Sequence, residues 1–119
     1  MRYVISILLV FACIGSLRAE TGTLFFETLY DVPIMPGLAE LTDQAVVFDK
    51  PNGRIAQVAA EVISDMSKRD VYQFYEVVLP QMGWKKKGSG VYAREGEKLT
   101  ISVETQGQKQ VFFFKVAPR

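Results

Sequence analysis

The 119-residue chain predicts an α+β fold: a single helix packed on an antiparallel sheet of about five strands, preceded by a cleavable signal peptide. Three observations carry this. Within 67–84, Val71, Phe74, Tyr75, Val78 and Leu79 recur at i, i+3, i+4, i+7 and i+8 and so share one helical face. Within 98–105, Leu99, Ile101 and Val103 alternate with Thr100, Ser102 and Glu104, the period of a half-buried strand. At the start, Met1 and Arg2 precede an almost wholly apolar run over 3–15 and then Ser16, Leu17, Arg18 and Ala19, the order of a secretory leader.

The apolar run of that leader falls short of the ~20 residues needed to span a bilayer comfortably. Cleavage is placed after Ala19, which divides the chain into a signal peptide (1–19), an N-terminal arm with a proline-containing strap (20–43) and the α+β domain (44–119). Val10, Phe11, Ala12 and Cys13 form an imperfect lipobox, so a lipoprotein anchored through Cys13 is the alternative to a free periplasmic protein. With cleavage at Ala19 the mature chain keeps no cysteine and therefore no disulfide. Losing Arg2 and Arg18 takes the formal charge from +1 to −1. A near-neutral domain argues against nucleic acid as a partner, because phosphate binding draws on clustered Lys and Arg.

Taken in order, the arm carries Leu24, Phe25 and Phe26 without a clear period. Pro33 and Pro36 then hold Val32 and Met35 extended, which makes 31–35 a stiff strap bearing Val32, Ile34 and Met35. Residues 45–49 (AVVFD) read as a strand, and Lys50-Pro51-Asn52-Gly53 as a tight turn. The following 54–63 fits either a helix or a strand by spacing; the turn before it favours a hairpin partner. Ser67 and Asp70 form a capping box for the helix, and Pro80 and Gly83 close it. Trp84 is expected as a buried anchor, Lys85, Lys86 and Lys87 as a solvated turn, and 91–95, 98–105 and 110–116 as strands.

The last strand is apolar on both sides: Phe112, Phe114 and Val116 point one way and Val111, Phe113 and Lys115 the other. If the helix covers one sheet face, the arm, the strap, a partner or a second copy must cover the other, where Val111, Phe113, Tyr92 and Ile55 would form a patch. The same strand is expected at an edge, with Lys115 and Pro118 as guards against further pairing.

Several chemistries are excluded by composition. The chain has no histidine, which removes the commonest general base and metal ligand, and with it Ser-His-Asp hydrolysis within this chain. No Gly-rich phosphate loop is present, and no cofactor or metal site is expected. Glu95, Glu97 and Glu104 are close enough in sequence for paired-carboxylate chemistry, but Glu95 and Glu97 flank a turn at Gly96, where solvated carboxylates are the norm.

Three stretches together resemble a family of small exported bacterial proteins of uncharacterised function: Asp31-Val32-Pro33-Ile34-Met35-Pro36-Gly37-Leu38, the turn Phe48-Asp49-Lys50-Pro51-Asn52-Gly53-Arg54, and Phe74-Tyr75 followed by Leu79-Pro80-Gln81-Met82-Gly83-Trp84. The resemblance implies export and a helix on an antiparallel sheet. It implies no activity and no site residues.

The expectation is therefore a non-enzymatic periplasmic module that binds another envelope protein or its own copy through Val32, Ile34, Met35, Tyr92 and Phe113. Lys85, Lys86 and Lys87 are the candidate contact to a membrane surface. The alternative is a small-ligand module that holds a lipid or peptide between strap and sheet.

Overall fold

The structure is a computed structural model that describes residues 24–119. The expected leader, its cleavage after Ala19 and the Cys13 lipid site lie outside the described residues. One helix packs on one face of an antiparallel sheet, so the α+β reading holds, with seven strands where about five were expected. These are β1 (Leu38–Glu40), β2 (Val46–Lys50), β3 (Gly53–Val62), β4 (Lys85–Gly88), β5 (Val91–Arg94), β6 (Glu97–Gln106) and β7 (Lys109–Pro118), and α1 (Lys68–Gln81) joins β3 to β4.

The sheet runs β1-β3-β7-β6-β5-β4. Strand β3 is long enough to pair with β7 along one side and with β2 and then β1 along the other. The ambiguous stretch 54–63 is thus strand, because the hairpin turn at Pro51 feeds it back along β2. The two unforeseen strands come from segments read as strap and turn. Burial of Leu38 draws the end of the strap against β3 as β1. Burial of Trp84 pins the chain so that the lysine run lies along β5 as β4.

Ser67 accepts from the Asp70 amide at 3.2 Å, and the Asp70 carboxylate accepts from the Ser67 amide at 2.9 Å, so the capping box forms as expected. Helix α1 ends one residue after Pro80. Gly83 takes φ +92° just beyond the end, and the amides of Gly83 and Trp84 return to the carbonyls of Pro80 and Leu79. The helix buries Val71, Tyr75 and Leu79, with Phe74 and Val78 half-buried beside them.

The core lies between this helix and one sheet face. In β3, β7 and β6 that face carries Val58, Ala60, Phe112, Phe114, Leu99 and Ile101. Strand β7 sits in the middle of the sheet between β3 and β6, and is not the edge expected from its position near the end of the chain. On its side away from the helix Val111 is buried and Phe113 half-buried, and Lys115 is no edge guard.

Candidate binding face

The arm and the strap lie on the helix side. Phe26, Leu29 and Val32 are fully buried, and the Phe26 ring meets Phe114 at 4.9 Å. Tyr75 holds the strap from the helix: its hydroxyl donates to the Pro33 carbonyl at 2.8 Å and accepts from the Met35 amide at 3.0 Å. Burial pushes the Tyr75 phenol well above its usual range, so it stays neutral as both donor and acceptor. The Glu40 carboxylate on β1 accepts from the Glu27 amide at 2.7 Å and ties the arm to the sheet.

A four-membered charge cluster closes the end of this side. Arg54 grips Glu97 through two bonds of 2.9 and 3.1 Å, and Asp31 Oδ2 accepts from Arg54 at 3.0 Å and from Arg94 at 2.7 Å. Arg54 therefore bridges to Glu97 and Asp31, and not to Asp49 across the hairpin turn. Burial works against the ionised Asp31, but the hydrogen bonds from Arg54 and Arg94 outweigh it and hold the carboxyl below its usual range. The bidentate Glu97 contact, against some burial, raises the Arg54 guanidinium further. Arg94 also donates to the Met82 carbonyl at 3.0 Å and lies 4.3 Å over the Trp84 ring. An ionised Asp31 fixed between two guanidiniums has no proton to give at neutral pH, so the cluster is built to tie the strap down and not for acid catalysis. Glu97 is engaged here on the helix side while Glu104 projects from the opposite face, so the three glutamates do not converge.

The five residues proposed from sequence do not form one surface. Val32 and Tyr92 are core residues, fully enclosed, and Ile34 and Met35 are half-buried against that core. Phe113 alone faces the other side. Tyr92 and Phe113 were expected together, yet Tyr92 pairs with Leu99 while Phe113 pairs with Ser102, which puts them on opposite faces. Counting back from the two-residue turn Glu95-Gly96 would have found this, since the turn sets Arg94 opposite Glu97. Nor do the arm and strap cover the second face, because both are spent on the first.

Among the described residues no helix, arm or strap packs on that second face, which is open around Lys98 and Lys115, while Ala59 and Val111 on it are buried. Near one end it carries Lys98, Thr100 and Ser102 of β6 and Lys115 of β7, which with Gln57 line a depression of about 370 Å³. A larger one of about 470 Å³ straddles the end of the sheet, where Lys85 and Lys87 of β4 meet Arg119 and Glu95, with Met82, Gly83 and Arg94 lining it from the helix side. Lys86 points the other way and pairs with Glu76 of the helix at 2.7 Å. The lysine run is thus split by the pleat: two of its members join cations from distant strands. Sequence reading missed Lys98 and Lys115, whose signal was the polar half of the alternation in β6 and the single charge in β7.

The two edges of the sheet differ. Strand β4 presents three lysines, a common guard against further strand pairing. Strand β2 is exposed throughout and offers Val46, Val47 and Phe48, which are 42%, 53% and 57% exposed. Among the described residues its outer edge has no partner strand.

No family model, curated protein or solved structure matches the chain. Among the described residues no helix is long and apolar enough to cross a membrane.

Proposed function

We propose that this is an exported, non-catalytic interaction module of the cell envelope that self-associates by pairing β2 with the β2 strand of a second copy. The observation that supports this reading is the contrast between the edges: lysines guard β4, while β2 exposes Val46-Val47-Phe48. An exposed apolar edge strand is a template for another chain. The β2 sequence is also self-complementary. Antiparallel pairing centred on Phe48 opposes Phe48 to its copy, Val47 to Asp49 and Val46 to Lys50, so no charge meets its like.

The test is sedimentation velocity of the mature chain between about 1 and 500 μM, beside Val47→Lys. Val47 is more than half exposed, so its replacement should change stability by less than about 0.5 kcal/mol. The wild type should move from monomer to dimer with concentration, and the variant should stay monomeric. A wild type that is monomeric throughout, or a dimer indifferent to Val47→Lys, sinks the proposal. The export half is tested separately by the intact mass of the protein from the envelope fraction of an expressing bacterium. A chain starting at Glu20 supports a free periplasmic protein, and a lipid-bearing chain starting at Cys13 supports the anchored form.

A further inference from the structure

We infer that the open face of the sheet seats the phosphate groups of an anionic phospholipid surface. Lys85, Lys87, Lys98, Lys115 and Arg119 line the two depressions on or at the end of this face. Among the described residues none of the five is in an ion pair, nor are Lys50, Lys68 and Arg69 elsewhere, whereas Arg54, Arg94, Lys86 and Lys109 all are. The chain as a whole carries a formal charge of only +1, so this is segregation of charge and not a basic composition. Of the carboxylates near the face, Glu95 lines the larger depression beside Lys85 and Lys87, while Glu61 and Glu104 sit at the far end, where Glu61 faces Lys109. Thr100, Ser102 and Gln57 add hydrogen-bonding groups between the lysines.

Two features favour a lipid surface over a single soluble anion. Lys115 on β7 and Lys85 on β4 stand three strands apart, about 14 Å at the usual spacing, so one phosphate cannot reach both and an array of phosphates can. Phe48 and Val46 lie on the same side of the sheet at its β2 rim, paired opposite Ile55 and Gln57, and both are exposed. Apolar side chains beside a cationic band suit the boundary between headgroups and acyl chains. Val47, whose replacement tests strand pairing, lies on the other side of the sheet, so the two proposals can fail independently.

The experiment is co-sedimentation of the purified mature chain with phosphatidylglycerol vesicles and with phosphatidylcholine vesicles, at about 0.05 M and 0.5 M salt, with inorganic phosphate as a separate titration. Each lysine near an anionic membrane is worth roughly a fivefold change in partitioning. Lys98→Glu/Lys115→Glu should therefore lower binding to the anionic vesicles by about 25-fold or more. Both positions are solvent-exposed, so an unchanged melting temperature is expected of the double variant. Lys109→Glu, at the far end, should bind like the wild type. Binding that is selective for the anionic vesicles, weakened by salt and lost in the double variant supports the inference. No binding to anionic vesicles at low salt, equal binding to both vesicle types, or a double variant that binds like wild type overturns it. So does binding of inorganic phosphate without vesicle binding, which would assign the face to a soluble anion.

Discussion

Tyr75 illustrates how one side chain can do what a segment cannot do for itself. The strap around Pro33 and Pro36 is stiff but makes few backbone pairs, and the Pro33 carbonyl and Met35 amide both end at the Tyr75 hydroxyl. Removing that hydroxyl leaves two backbone groups without their partner while the ring still fills its place. Tyr75→Phe should therefore cost about 1–3 kcal/mol. A urea unfolding series would show it as a lower midpoint at unchanged slope, and a midpoint equal to wild type would mean that the strap is not held this way.

At the scale of the element, the helix shows the limits of a helical wheel. The i, i+3, i+4 spacing places five apolar residues on one face, but the sheet beneath covers only the centre of it. Leu79 is fully buried, whereas Phe74 stands at the margin, half-buried and edge-on to Tyr75 at 4.9 Å. Leu79→Ala should cost about 2–5 kcal/mol, because a closed core leaves a cavity. Phe74→Ala should cost less than the ~3–5 kcal/mol of a buried phenylalanine, since water can fill the gap. Thermal melts of both variants check the order, and a larger loss at Phe74 would mean that the helix is rotated from the position seen here.

For the molecule as a whole, Asp31 is the residue that fastens the N-terminal segment to the sheet, since it bridges Arg54 of β3 and Arg94 of β5. Its carboxyl titrates below its usual range when folded, so folding favours the ionised form. The stabilisation is complete above the unfolded value, near 3.9, and is lost as pH falls through the lower folded one. The gap in melting temperature between wild type and Asp31→Asn should accordingly be widest near neutral pH and narrow as pH drops to about 3. A gap that stays constant with pH would show that the charge of Asp31 contributes nothing to the fastening.

Local patterns were enough to determine the helix with its capping box and glycine exit, the alternation of β6, and the turn at Pro51, which favoured a strand for 54–63 where spacing left helix and strand open. Each rests on interactions between residues a few positions apart, which the sequence displays directly. The tertiary structure alone decided which strand lies where. It put β7 in the middle of the sheet and β2 at an edge, made strands of 38–40 and 85–88, and sent the strap to the helix side. Those outcomes depend on pairings between residues distant in sequence, such as Val58 with Phe114 and Arg94 with Asp31. The cationic face arises in the same way. Lys85, Lys98 and Lys115 belong to three strands, and they come together only because register and pleat turn all three outward on one side.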